Sequence, residues 1–147
     1  MTQLLDREGV EPTEAEAAGR ARVGARRHAR VLIVDDEPLV RLSVRTALED
    51  LGHEVVEAES ARDALAVLAA QRDRVDVLLS DVMMPGVRGP ALARQVVALW
   101  PHIRVIFMSS LPSRLLVDDG VMDAGSELLR KPIPEADLEA AMRRSLA

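Results

Sequence analysis

The sequence predicts an α/β fold, a doubly wound parallel sheet of five strands with helices on both faces. Three observations predict it. Apolar runs such as Val31-Leu32-Ile33-Val34 lack the alternation of a half-exposed strand, as expected for strands covered on both sides. Between them lie stretches whose apolar residues recur with the period of a helix. The connections are short, and alternating strands and helices with short links imply parallel strands joined by right-handed crossovers.

Each element has its own signal. Residues 31–34 form the first strand. Pro38 opens a helix with Val40, Val44, Ala47, Leu48 and Leu51 on one side, and Gly52 ends it. Residues 53–58 alternate weakly, which suits a strand near the sheet edge. Ser60 caps a second helix, with Asp63 in its first turn and Leu65, Leu68 and Ala69 facing inward. Residues 75–80 are the third strand. Pro85, Gly86 and Gly89 mark a loop, and a helix over about 90–100 turns Leu92, Val96 and Leu99 to the core. Trp100 is a half-buried anchor at its far end. Pro101 stops that helix, and residues 105–108 are the fourth strand. Pro112 and Gly120 confine a short helix over 113–119. Residues 127–130 give a fifth strand before Lys131-Pro132. The last helix starts near Pro134, carries Leu138, Ala141 and Met142 on one side, and ends with Arg143 and Arg144 against its dipole.

The 147 residues fit one domain and a short appendage. Residues 1–29 stand apart: Asp6, Glu8, Glu11, Glu14 and Glu16 precede Arg20, Arg22, Arg26 and Arg27, and three glycines interrupt any apolar period. The expected division is a flexible N-terminal tail or linker over 1–29 and a folded domain over 30–147. No apolar run is long enough to cross a bilayer and the N-terminus has no signal-peptide pattern, so a cytoplasmic location with no membrane partner is expected.

Composition removes several function classes. There is no cysteine, hence no disulfide, thiolate metal site or cysteine nucleophile. His28, His53 and His102 are too scattered for a zinc hydrolase pair. Trp100 and Phe107 are the only aromatic residues, and the formal charge is −5, so direct nucleic-acid binding is not expected. No glycine-rich nucleotide loop is present. Of 19 basic residues only Lys131 is a lysine.

In open α/β sheets, ligands bind at the carboxyl ends of the strands. The first strand ends in Asp35-Asp36-Glu37, the third in Asp81 and the fourth in Ser109-Ser110, while Lys131 follows the fifth. Singly, each is explained as a helix cap or a loop polar group. Together they bring acids, a hydroxyl and the lone lysine to one rim. Three carboxylates that close repel one another, and a hard divalent cation such as Mg²⁺ relieves the repulsion while leaving room for phosphate oxygens. Asp81 is then the expected nucleophile of a phosphoryl transfer, a reaction that needs positioning and charge neutralisation more than a histidine.

On four motifs, residues 30–147 resemble the receiver domain of two-component response regulators. The motifs are Val31-Leu32-Ile33-Val34-Asp35-Asp36-Glu37, Leu79-Ser80-Asp81-Val82-Met83-Met84-Pro85-Gly86, Val105-Ile106-Phe107-Met108-Ser109-Ser110 and Lys131-Pro132. The second and third are similar to receivers attached to hybrid histidine kinases. The resemblance implies a flavodoxin-like (βα)5 topology with strand order 2-1-3-4-5. It implies that Asp81 accepts a phosphoryl group from a kinase phosphohistidine, and that Asp36 and Asp81 ligate Mg²⁺ directly, with Asp35 acting through water and Met83 through its backbone carbonyl. Lys131 would pair with a phosphoryl oxygen and Ser109 would swing to hydrogen-bond the group, while small Ser110 leaves the donor room. The Lys131-Pro132 bond is often cis in that family.

The implied partners are a sensor histidine kinase or a histidine phosphotransfer protein and a downstream protein target, with the chain a monomer or weak homodimer and not an enzyme in its own right. Two features depart from the family pattern. Leu128 stands where a Tyr or Phe is usual, and the helix after the fourth strand is short. A receiver-fold interaction module not switched by phosphate is therefore the alternative. A phosphatase of the haloacid dehalogenase type fits less well, because Glu37 occupies the second place of its Asp-x-Asp pair.

Overall fold

A computed structural model describes residues 28–147; the expected tail lies outside the described residues except for His28 and Ala29. Five parallel strands stand in the order β2-β1-β3-β4-β5. They are β1 (Arg30–Val34), β2 (Glu54–Ala58), β3 (Val77–Asp81), β4 (Arg104–Ser109) and β5 (Leu128–Arg130). The helices between and after them are α1 (Pro38–Asp50), α2 (Ala61–Gln71), α3 (Gly89–Leu99), α4 (Ser113–Asp118) and α5 (Glu135–Leu146). The expected fold class and strand order are those observed.

Period-2 alternation divides the core into two halves. Leu32, Val34, Leu78 and Phe107 pack on one face against Ala64 and Leu68 of α2, Leu92 and Val96 of α3 and Leu116 of α4. Val31, Ile33, Val77, Leu79, Ile106 and Met108 pack on the other against Val44 and Leu48 of α1 and Leu138, Ala141 and Met142 of α5. Residues 31–34 are entirely without solvent exposure, which is why that run carries no alternation. Each aliphatic side chain so buried contributes about 1.5–3 kcal/mol over its exposed state.

Helix ends follow the punctuation. Gly52 takes φ of +95° after α1, and the N–H groups of His53 and Gly52 donate to Leu48 and Glu49 at 3.0 and 2.9 Å. Ser60 Oγ accepts the Asp63 N–H at 3.1 Å ahead of α2. Arg144 does more than complement the dipole of α5: it grips Glu127, beside β5, at 2.6 and 3.1 Å.

Three expectations are corrected. Ala69 is exposed, because the inner line of α2 runs through Ala61, Ala64 and Leu68, and one residue is about 100° of rotation. Leu99 is 64% exposed. The chain leaves helical geometry at Trp100 (φ −133°), and Trp100 rather than Leu99 packs against the core. β3 begins at Val77 rather than residue 75, since the Val75 carbonyl accepts from His102 Nε2 at 3.1 Å instead of joining the ladder.

Candidate functional site: an acidic pocket at the strand tips

Register decides what meets at the carboxyl rim. Val34 lies opposite Ser80, Asp81 opposite Met108, and Ser109 opposite Arg130. The pairing of Lys131 N–H with the Ser109 carbonyl at 2.8 Å carries the ladder one step past β5. Asp35, just beyond β1, is therefore level with Asp81, and Lys131 emerges two strands away.

Asp35 has no solvent exposure and Asp81 has 6%. Asp35 Oδ1 accepts the Glu37 N–H at 2.9 Å, and Oδ2 accepts from Lys131 Nζ at 2.7 Å. The same ammonium stands 3.4 Å from Asp81 Oδ2. Asp81 Oδ1 takes a long bond from the Met83 N–H at 3.3 Å. Asp36 is exposed at the mouth, and one carboxylate oxygen from each of Asp35, Asp36 and Asp81 falls within 4.8 Å of the others. The peptide between Lys131 and Pro132 is cis.

Three carboxylates thus face one ammonium. Burial pushes the Asp81 carboxyl above its ordinary range and Asp35 adds to the rise, against the opposing pull of Lys131. For Lys131, burial acts downward and is the largest single effect, yet the hydrogen bond to Asp35 and the fields of Asp81 and Asp35 together raise it. The charged form of Lys131 is favoured and that of Asp81 disfavoured. A donor set made wholly of oxygen, with excess negative charge, suits a hard divalent cation.

The remaining expected residues sit on the same rim but are not all drawn into the cluster. Ser109 is 2% exposed, and its hydroxyl oxygen accepts the Leu111 N–H at 2.9 Å. Met83 adjoins Asp81 through its N–H, with its side chain in solvent. Ser110 is exposed. Leu128 is half-buried and packs with the core half that contains Phe107, Leu116 and Met122. An open cleft of about 620 Å³ lies elsewhere, between Val87, Arg88, Pro90 and Arg94 of the β3–α3 region and Asp119 and Val121, and includes none of Asp35, Asp36 and Asp81.

Two residues escaped the sequence reading. Gly89, a loop marker by its sequence, starts α3 against the Asp81 backbone. A Cβ at that position would fall well inside contact distance of the Asp81 carbonyl oxygen and 3.1 Å from Ser80 Oγ. Its N–H donates to the Val82 carbonyl at 2.9 Å, and buried Ser80 donates its hydroxyl to the Asp81 carbonyl at 2.9 Å. Both hold the Asp81 backbone. Nothing local announces such a close approach.

The response regulator receiver domain family matches residues 31–143. The chain is 34% identical over 118 residues to the sensor kinase CckA of Brucella abortus, covering 80% of this chain and 12% of that protein. To protein PilH of Pseudomonas aeruginosa it is 33% identical over 121 residues, covering 81% of this chain and 98% of PilH. A solved structure of the chemotaxis protein CheY4 of Vibrio cholerae is similar with a TM-score of 0.68 at 29% identity, over 81% of this chain and 99% of that one. No helix among the described residues is long and apolar enough to cross a membrane.

Proposed function

The chain belongs to the response regulator receiver family, and from that premise we propose that it takes a phosphoryl group from a kinase phosphohistidine onto Asp81. The observation that carries the reading is the meeting of Asp35, Asp36 and Asp81 within 4.8 Å, with Lys131 Nζ at 2.7 and 3.4 Å from two of them. A carboxylate oxygen of Asp81 attacks phosphorus, the phosphorus–nitrogen bond breaks, and the donor imidazole leaves with its electron pair and takes up a proton. The product is an acyl phosphate. Lys131, held by Asp35, pairs with a phosphoryl oxygen as a point charge. Ser109 exchanges its bond with the Leu111 N–H for one to the phosphoryl group, so the loop after β4 responds to the modification.

The oxygen set fits Mg²⁺: Asp36 and Asp81 would hold it directly, Asp35 through water and Met83 through its carbonyl, and its charge offsets that of the acids and phosphate. The partners are a sensor histidine kinase or histidine phosphotransfer protein and a downstream protein target, reached in the cytoplasm by a monomer or weak homodimer. It acts as a signalling module and not a turnover catalyst. Leu128 favours a second reading, an interaction module indifferent to phosphate, because leucine has no hydroxyl to report the modified state.

Intact mass after incubation with acetyl phosphate and Mg²⁺ separates the two. The expected result is the mass of one added phosphoryl group, lost on hydroxylamine treatment and absent from Asp81→Asn. An unchanged mass of the wild-type chain overturns the proposal in favour of the interaction module.

A further inference from the structure

Among the acids of the pocket, Asp36 is the least supported. Its side chain is exposed and makes no hydrogen bond or ion pair among the described residues, so its direction is set by its backbone. The peptide that precedes it is fixed from outside the pocket. Arg41, one turn into α1 and 15% exposed, donates from Nη1 to the Asp35 carbonyl oxygen at 2.6 Å. Its Nε donates to Glu57 Oε1 on β2 at 3.0 Å. The Asp35 N–H is bonded in turn to the Ala58 carbonyl at 3.2 Å, next to Glu57. The Asp35 backbone is therefore gripped on both sides from β2: directly through Ala58, and through Arg41 by way of Glu57.

The charges make this arrangement compatible with a cation. A bare guanidinium beside the pocket would repel a divalent ion. Two carboxylates balance the two guanidiniums there: Glu57 accepts from Arg45 at 2.7 Å, the chief cause that holds its carboxyl below the ordinary range despite partial burial, and from Arg41, while Glu49 pairs with Arg45 at 3.0 Å. Arg41 thus supplies a rigid fork of donors from within a cluster whose formal charges sum to zero. Groups that orient metal ligands without touching the metal commonly carry about 10–100-fold in affinity.

We infer that Arg41 is a positioning residue for divalent-cation binding: by clamping the Asp35–Asp36 peptide to Glu57 it aims the Asp36 carboxylate at the site shared with Asp81. The inference rests on the cation reading given above and deepens it.

The test is a Mg²⁺ titration by calorimetry of the full chain, with acetyl phosphate uptake measured at low and saturating Mg²⁺. Arg41→Ala is expected to weaken Mg²⁺ about tenfold. Arg41→Lys restores part of the loss, because one ammonium reaches the carbonyl but not Glu57 as well. Uptake by Arg41→Ala falls at low Mg²⁺ and returns to the wild-type rate at saturation, a split that a general loss of fold does not produce. If Arg41→Ala fails to melt cooperatively in EDTA, Glu57→Gln, which leaves the arginine but frees its anchor, takes its place and should show a smaller loss of the same kind. A Mg²⁺ affinity of the folded variants within about twofold of wild type overturns the inference alone. A wild-type chain that binds no Mg²⁺ overturns the cation reading itself.

Discussion

At the amino ends of the strands, the Ala29 N–H donates to His53 Nδ1 at 3.0 Å, the Arg30 N–H to Asp76 Oδ2 at 2.9 Å, and His102 Nε2 meets the Val75 carbonyl at 3.1 Å. At the carboxyl ends, Asp35 and Asp81 turn toward one ammonium and toward each other. Both ends hold polar side chains; at the amino end His53 is buried, Asp76 half-buried and His102 exposed. At the amino end each is answered by a backbone group that the sheet leaves unpaired, so the pairing there closes the structure. At the carboxyl end charged side chains are answered by other charged side chains, with negative charge left over, so burial there prepares a site. What a buried polar group faces, more than the fact of its burial, separates a structural role from a chemical one.

Substitutions at the two ends should therefore part company, and Gly89→Ala is the largest test. The added methyl presses on the Asp81 carbonyl, where backbone rather than a flexible side chain must yield, at a cost of about 1–3 kcal/mol. Urea melts should show that loss, and phosphoryl uptake by Asp81 should fall with it; wild-type values for both would mean that α3 does not fix the acid.

Mg²⁺ comes next. At ten times its dissociation constant it should stabilise the fold by about 1.4 kcal/mol over EDTA, seen as a melting rise of a few degrees. Asp36→Asn should abolish that rise and His53→Ala should leave it intact. Equal melting of wild type in both conditions would erase the distinction between the two rims.

His53→Ala should cost about 1 kcal/mol, since the Ala29 N–H loses its acceptor, while acetyl phosphate labelling proceeds at the wild-type rate. The imidazole also sets a pH sign. Burial, with His28 adding to it, depresses His53 below its ordinary 6.5, so its stabilising effect is complete above that pH and fades as pH falls through the lower folded value. Guanidinium melts from pH 7 to 5 should show the loss in wild type and a flatter profile in His53→Ala.

Asp81 has the opposite sign. Its raised carboxyl favours the fold when neutral, a contribution present below 3.8 and lost as pH rises through the folded value. In EDTA at neutral pH, Asp81→Asn should melt above wild type; a lower melting temperature would show that Lys131 already offsets the charge.

Much of this contrast was legible in the residues. The unalternating run 31–34 fixed a doubly covered strand, and acids placed just after such runs had to share a rim once the strands were parallel. Ala69 and Leu99 face solvent against expectation because one residue of helical phase, or one residue of early termination, turns a side chain from core to solvent. Gly89 and Arg41 were illegible for another reason. One matters through the space it leaves beside Asp81, the other through a carbonyl just past β1 and a carboxylate on β2, and both distances exist only after the helices dock.

The flanks of the sheet have a consequence for how other molecules can reach it. β5 offers only three residues of free ladder, and β2 is lined by Glu54 and Glu57, tethered to Arg30, Arg41 and Arg45. A neighbouring chain seeking to add itself as a sixth strand finds too little backbone on one side and a charged fence on the other. Recognition is thereby steered to helix surfaces and loop tips, and the bare hydrogen-bonding margins that seed fibrous stacking are closed off.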